Sequence, residues 1–329
     1  KELIGGKAIS QQSLASIRGG TKQSQYLVQT SIAKDGTVFP GDYGNTRKNI
    51  SAQLSHKLPN NDWFFQTQVM RGESNNRLIG TDLTREALVL SPNSPNLYDE
   101  NGNLNWENST WDNPLRWHNQ SYIAKNIQWL TSWIIEGKIS NDFKIKMIAG
   151  HNESFGEERL LMKHTIYKPS LGRNSTASNQ QLNIHKSLNW NLEPQILFKK
   201  DLDKHKFDAF VGLTFMKQTM SQEVWRGSNF ASNIQISDIK AAKIIQMLSN
   251  VKSEYAYQAV FSRLNYKFLD TYILNLTARR DGSSRFGNNK RWGNFGAVGF
   301  AWILTNEKWF DDVDWISFAK LRGSYGTTG

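Results

Sequence analysis

The sequence predicts an all-β fold, an antiparallel transmembrane β-barrel segment of about twelve strands. Three features of the 329 residues carry this expectation. Apolar residues recur with a period of two, the alternating runs are long, and the connections between them alternate short and long.

The period is clearest over 182–198. Leu182, Ile184, Leu188, Trp190, Leu192, Ile196 and Phe198 share one face, and Asn183, His185, Ser187, Asn189, Asn191, Glu193 and Gln195 the other. Over 205–216, Phe207, Ala209, Val211, Leu213 and Phe215 share a face. Over 271–280, Tyr272, Leu274, Leu276 and Ala278 oppose Asn275, Thr277 and Arg279. Over 120–136, Ile123, Ile127, Trp129, Trp133 and Ile135 oppose Tyr122, Asn126, Gln128 and Ser132. The same reading places strands near 11–18, 24–34, 45–57, 62–73, 120–137, 142–153, 181–200, 205–220, 253–268, 271–281, 292–304 and 317–326. Many reach the roughly 9–11 residues that a tilted strand needs to cross a bilayer, and exceed the usual strand of a soluble domain.

Short connections fall at 19–23, 58–61, 138–141, 201–204 and 269–270, with a medium one at 305–316. Long ones fall at 74–119, 154–180 and 221–252, with shorter members at 35–44 and 282–291. Each kind therefore gathers at one end of the sheet, as tight periplasmic turns and extended extracellular loops do. Asn60, Asn141 and Asp142 supply residues that tolerate positive φ in the short turns. Tyr26, Trp63, Trp129, Trp133, Tyr255, Tyr272, Trp302 and Trp315 fall near strand ends on the apolar faces, the level of lipid headgroups.

Composition narrows the function classes. The absence of cysteine excludes disulfides, thiolate metal sites and a cysteine nucleophile. The net charge of +11 is spread along the chain and forms no dense basic block, so it points to no nucleic-acid partner. No run of about 18 apolar residues marks a transmembrane helix. Mean hydropathy is negative, which a barrel tolerates because only alternate residues meet lipid. The first twenty residues lack the pattern of a signal peptide.

No catalytic motif is present: there is no GxSxG, HExxH, phosphate-binding Walker loop or GxGxxG. The expectation is a protein that is not an enzyme and carries no cofactor. The six histidines show no metal-ligand spacing. Asp311, Asp312 and Asp314 cluster as Ca²⁺ ligands do, without the glycine and distal glutamate of an EF-hand. The most suggestive binding segment is 100–118, where Trp106, Trp111 and Trp117 alternate with amides, carboxylates and Arg116. Such rings suit stacking on a sugar face. They equally suit a loop folded on itself or a docking surface for a partner protein.

Residues 271–329 carry a more specific signal. The strand YILNLTARRDGSSRFG (272–287), the return NNKRWGNFGAVGFAWIL (288–304), the turn TNEKWF (305–310) and the strand ISFAKLRGSYGTTG (316–329) resemble the SusC/RagA group of TonB-dependent outer-membrane proteins of Bacteroidetes. Weaker likeness extends to 253–270, 188–215 and 11–39. The resemblance implies a 22-strand barrel with an N-terminal plug, of which this chain holds about twelve central strands. It implies import of oligosaccharides or peptides across the outer membrane, energised by the TonB-ExbB-ExbD complex and assisted by a SusD-like surface lipoprotein, with lipid around the barrel. Against that pattern the chain reads as one partial barrel domain, 1–329, lacking plug, TonB box and C-terminal strands. A siderophore or cobalamin receptor of the same barrel class, or a soluble carbohydrate-binding β-protein, stands as the alternative.

The motif Arg280-Asp281-Gly282-Ser283-Ser284-Arg285-Phe286-Gly287, with Arg291-Trp292-Gly293 after it, reads as structural. Gly282 and Gly287 would permit a tight reversal, and Asp281 and the serines would bond local amides. Arg279, Arg285 and Arg291 would pair with acidic groups.

Overall fold

The computed structural model describes residues 2–60, 62–311, 313 and 315–327. Twelve strands form a single sheet in sequence order, each antiparallel to the next. They are β1 (Ser10–Gly20), β2 (Ser24–Gly36), β3 (Gly44–Lys57), β4 (Trp63–Ile79), β5 (Gln120–Lys138), β6 (Phe143–Met162), β7 (Asn179–Leu202), β8 (His205–Phe230), β9 (Ala242–Phe268), β10 (Tyr272–Ser283), β11 (Trp292–Ile303) and β12 (Lys320–Gly326). Among the described residues no helix is long and apolar enough to cross a membrane.

Register makes the sheet two-faced. Directly paired residues of an antiparallel ladder point to the same side, so one row can be followed from strand to strand. Such a row runs Phe143, Phe198, Ala209, Leu264, Leu276, Val298 and Tyr325. A parallel row on the opposite face runs Lys144, Leu197, Phe210, Arg263, Thr277 and Ala297. A one-residue slip anywhere would exchange the faces. A register shift between β8 and β9, at Val224/Trp225, lies toward the long-loop end.

The apolar face is bounded. On β8 it holds Phe207, Ala209, Val211, Leu213 and Phe215, then turns polar at Lys217 and Thr219. Nine residues at about 3.3 Å each span roughly 30 Å, and strand tilt reduces that to the band of about 25 Å that lipid requires. Apolar side chains inside this band are open: Val211 is 53% exposed, Ile196 55% and Val260 48%. A sandwich would bury them under a second sheet. An apolar surface of this extent belongs in contact with a membrane or a partner.

The strands run well past the band. β7, β8 and β9 have 24, 26 and 27 residues. The expected loops at 154–180 and 221–252 accordingly shrink to 163–178 and 231–241. Mostly polar segments such as Lys217–Asn229 carry no consistent bilayer-facing alternation, yet cross-strand pairing keeps them extended.

Aromatic rings mark the short-turn end. Phe207 stacks on Tyr266 at 4.9 Å, Phe268 on Tyr272 at 6.2 Å, and Tyr272 on Trp302 at 6.2 Å. Two rings expected in the apolar girdle lie elsewhere. Tyr255 pairs with Gln218 on the polar face, because its odd position in β9 opposes the even apolar ones. Trp315 lies in the connection before β12, 84% exposed.

Several girdle rings lie flat across a glycine of the neighbouring strand. A Cβ built on Gly19 would stand 2.7 Å from Tyr26, on Gly137 2.5 Å from Trp63, and on Gly282 2.8 Å from Trp292. The ring covers backbone that a glycine strand otherwise exposes, which offsets part of glycine's entropic cost. Gly137→Val is expected to displace Trp63 and destabilise the sheet by about 1–3 kcal/mol. Gly323→Ala, where nothing lies within 4 Å, should be neutral. The midpoint of heat-dependent gel mobility of the folded barrel measures both, and equal midpoints would contradict the ring-over-glycine account.

Candidate functional site: loop cluster and polar wall

The long loops at one end of the sheet are tied together. Loop 80–119 begins with a short helix, α1 (Thr84–Val89). Asp82 Oδ1 accepts from the Thr84 amide at 2.8 Å, and that bond holds its carboxyl below the usual range. Leu83 and Leu115 pack with Ile79 at the top of β4 and with Leu3, against Phe39, Tyr43, Leu97 and Trp117. Full burial of a leucine such as Leu83 contributes about 1.5–3 kcal/mol.

Asn113 is the polar hub of this loop. It is fully buried. Its Nδ2 donates to the carbonyls of Leu97 at 2.6 Å and Asn105 at 2.9 Å, and its Oδ1 accepts from Leu115 N at 2.9 Å. Three segments of the loop are therefore joined through one amide, which offers both donors and an acceptor.

Side chains link neighbouring loops. Asp112 pairs with Arg116 at 2.8 Å and with Lys168 of loop 163–178 at 3.4 Å, and Lys168 also donates to the Ser109 carbonyl. Ser178, fully buried, donates to Asn233 Oδ1 at 2.7 Å, and His164 Nδ1 stands 3.0 Å from the same oxygen. Tyr43 and His118 meet at 3.4 Å between loops 37–43 and 80–119.

The four predicted binding residues separate into two pairs. Trp117 packs against the loop's own apolar cluster. Arg116 lies 4.9 Å from the Trp117 ring and is committed to Asp112. Trp106 and Trp111 flank a turn whose residues Glu107, Asn108 and Ser109 have φ of 44, 51 and 73°. Three successive non-glycine residues in the left-handed region are strained, and such strain persists only where surroundings impose it. The Trp106 carbonyl accepts from Ser109 N at 2.7 Å, and Asn105 Oδ1 from Glu107 N at 2.9 Å.

Below the loops, the polar face forms a hydrogen-bonded wall. Gln222 donates to Asn183, and Asn183 donates to Glu158. Gln128 donates to Asn152. Further round, Arg279 Nε donates to Asp281 at 2.6 Å and its NH2 group to the Tyr257 hydroxyl at 2.5 Å. The Arg279 guanidinium is 5.5 Å from the Phe261 ring, and that of Arg285 is 4.5 Å from Tyr255. The wall therefore offers amides, carboxylates and aromatic faces side by side. Reading by motif missed Tyr255, Tyr257 and Phe261. Their shared odd parity in β9, against Arg279 and Asp281 in β10, was the available signal.

The 280–293 motif serves the packing of β10 against β11 and β9. Gly282 lies inside β10, opposite Trp292, and is not a turn residue. Neither Gly282 nor Gly287 has positive φ. The requirement at 282 is therefore space for the ring, not a reversal. Ser283 Oγ accepts from Arg285 N, and Ser284 Oγ from Ala256 N at 2.9 Å while Ser284 N returns a bond to the Ala256 carbonyl. Arg279 finds a carboxylate as expected. Arg285 instead stacks on Tyr255, and Arg291 donates to the Phe286 carbonyl at 3.4 Å. Arg280 lies 5.1 Å from the Trp292 ring. Phe286 is exposed, and Gly293 pairs with Asp281. Of the candidate Ca²⁺ ligands, Asp312 and Asp314 lie outside the described residues. Among the described residues no group of three potential ligands forms a metal site.

A single antiparallel sheet with one lipid-type face, one hydrogen-bonded polar face and its long loops joined at one end defines a partial transmembrane barrel. No protein-family model matches the chain. The TonB-dependent receptor P26 of Formosa agariphila is 26% identical over 305 residues, covering 86% of this chain and 28% of the receptor. The TonB-dependent receptor SusC of Bacteroides thetaiotaomicron is 29% identical over 201 residues, covering 59% of this chain and 19% of SusC. Among solved structures, a chain of the RagAB peptide transporter superposes with a TM-score of 0.79 over 97% of this chain and 37% of its own length, at 19% identity. FpvA of P. aeruginosa, solved bound to a pyoverdine, superposes less closely, with a TM-score of 0.55 over 89% of this chain and 38% of its own length, at 11% identity. The resemblance read from 271–329 is borne out: the chain fits a fragment of a SusC/RagA-type TonB-dependent receptor. It spans little more than a quarter of the length of P26.

Two outcomes test the loop cluster. Asn113→Ala leaves two carbonyls and an amide unsatisfied, costing about 1–3 kcal/mol, and should raise amide hydrogen exchange in 97–115 while leaving the β7–β9 ladder protected. Burial holds His118 below its ordinary value, so the folded cluster favours the neutral ring. Its contribution is full above the ordinary histidine value of about 6.5 and is lost as pH falls below that toward the depressed folded value. Amide protection in loop 80–119, measured relative to the intrinsic exchange rate at each pH, should therefore fall as pH drops below about 6.5, and His118→Gln should flatten that dependence.

Proposed function

We propose that this chain is the central part of an outer-membrane TonB-dependent importer that binds and translocates glycans or peptides together with a SusD-like lipoprotein. The observation that carries the reading is the two-faced sheet. Its apolar band matches a bilayer in height, and its polar face suits the lumen of a transport barrel. The similarity to SusC and to a chain of the RagAB peptide transporter supports the same assignment.

On this reading the loop cluster faces the cell exterior and meets the lipoprotein and the substrate. Trp106 and Trp111 offer ring faces beside amide and carboxylate groups, and Arg116 and Trp117 hold the loop that presents them. The amide-rich wall lines the route inward, where hydroxyls or peptide groups exchange hydrogen bonds with Asn, Gln and Glu side chains at little net cost. Plug, TonB box and closing strands would come from other parts of a longer protein, which couple the barrel to the TonB-ExbB-ExbD complex.

These 329 residues contain no cysteine, so a thiol introduced among them tests orientation, with the unsubstituted full-length protein as the labelling control. Leu88 in loop 80–119 is 77% exposed, and Leu269 in the β9–β10 turn is 47% exposed. In the full-length protein, Leu88→Cys should react with a membrane-impermeant maleimide on intact cells, and Leu269→Cys only after lysis. The reverse pattern would overturn the topology. For substrate, Trp106→Ala combined with Trp111→Ala should weaken oligosaccharide or peptide binding about tenfold, or about 1.4 kcal/mol, without loss of the folded barrel. Failure to co-purify a SusD-like lipoprotein from native membranes would remove the partner from the proposal.

A further inference from the structure

The apolar band ends, at its upper edge, in a groove that neither transport nor barrel packing accounts for. Trp190 of β7, Phe215 and Lys217 of β8, Ser284 just beyond β10 and Trp292 at the start of β11 line a cavity of ≈ 410 Å³. The rings are open: Trp190 is 41% exposed and Trp292 47%. Lys217 stands one alternation above the last apolar residue of β8, so its charge meets the edge of the band and not its middle. Arg280 adds a second cation on the same face, 5.1 Å from the Trp292 ring.

Among the described residues no carboxylate lines the groove. Glu254 stands beside it, 3.6 Å from Lys217, and is shared with Lys252 at 3.5 Å, so the cations remain in excess. The Ser284 hydroxyl accepts from Ala256 N and keeps its own proton for another acceptor. Gly282 lets the Trp292 ring lie against the β10 backbone at the floor of the groove. Directly below, Val211, Val260, Leu276 and Val298 continue the apolar face as an open track.

We propose that this groove seats the headgroup of a phosphorylated glycolipid of the outer leaflet. The phosphate lies against Lys217 and the Ser284 hydroxyl, a sugar ring lies against Trp190 or Trp292, and the acyl chains follow the apolar track. The inference rests on the outer-membrane reading. Three chemistries converge on this one occupant. Cations at the headgroup level attract an anion, with the interaction strengthened where water is thin. Flat exposed rings suit a sugar face, which a glycerol headgroup lacks. The track below accepts hydrocarbon.

The test uses the full-length protein, reconstituted in nanodiscs with lipid A, with the same glycolipid after phosphatase treatment, or with phosphatidylglycerol. Native mass spectrometry then counts the lipid kept after delipidation in detergent. Wild-type protein should keep lipid A about tenfold better than either other lipid. Lys217→Gln with Ser284→Ala should abolish the preference for the phosphorylated form, and Trp190→Ala with Trp292→Ala the preference over phosphatidylglycerol. Equal retention of all three lipids by wild-type protein overturns the site, and so does unchanged selectivity in folded variants. The wild-type comparison stands even if a variant fails to fold. Wild-type protein that does not enter the outer membrane at all would instead defeat the proposed function.

Discussion

Every interior feature of this sheet depends on the continuous antiparallel ladder. In hydrocarbon a backbone N–H or C=O has no water to turn to, and each unpaired group costs several kcal/mol. Ladder pairing from β1 to β12 meets that demand strand by strand. Because pairing also fixes parity, it sorts side chains into a lipid face and a polar face without a conventional core. The shift at Val224/Trp225 is consistent with this constraint, since it falls above the apolar band, where water can satisfy a disrupted bond.

The ladder places the buried core where the ladder itself ends. Within the band, apolar side chains stay open because lipid is their solvent. At the loop end lipid gives way to water, and there Leu83, Phe230 and Ile236 become fully or nearly fully buried. Loop order is thus stabilised by ordinary hydrophobic burial, while strand order is stabilised by hydrogen bonding across the sheet. Glycine serves both regimes through space. Beneath Trp63 and Trp292 it admits a ring on the lipid face, and Gly156 and Gly212 do the same beneath His185 and Phe261 on the polar face.

Much of this architecture was legible in the sequence because period-two alternation is a local signal. All twelve strands lie where alternation placed them, including the demanding pair at 182–198 and 205–216. The upper strand extensions were not legible. Segments such as Ser221–Phe230 mix polar and apolar residues on both faces and carry no period-two alternation, so only their partners hold them extended. Parity mattered more than residue type for Tyr255, an aromatic ring near a strand end that nevertheless points to the polar side. The reading of Gly282 failed for a related reason. A glycine beside Asp and Ser resembles a turn locally, and the need for it comes from Trp292, which lies further along the chain and directly across the ladder.

On the proposed transport reading, the loop cluster would bind without being soft. Trp117 and Arg116 are committed inside the loop, one to its apolar cluster and the other to Asp112. That commitment fixes the 105–111 turn, whose three left-handed residues would relax in a free peptide. Ordering a flexible loop on binding would cost about 0.5–1.5 kcal/mol per immobilised side chain. Here that cost is already met by Asn113, the Asp112 ion pairs and the leucine cluster. On the proposed transport reading, Trp106 and Trp111 therefore meet substrate as a preorganised pair. The residues that look least like binding groups, Asn113 and Leu83, then set the affinity as firmly as the rings do.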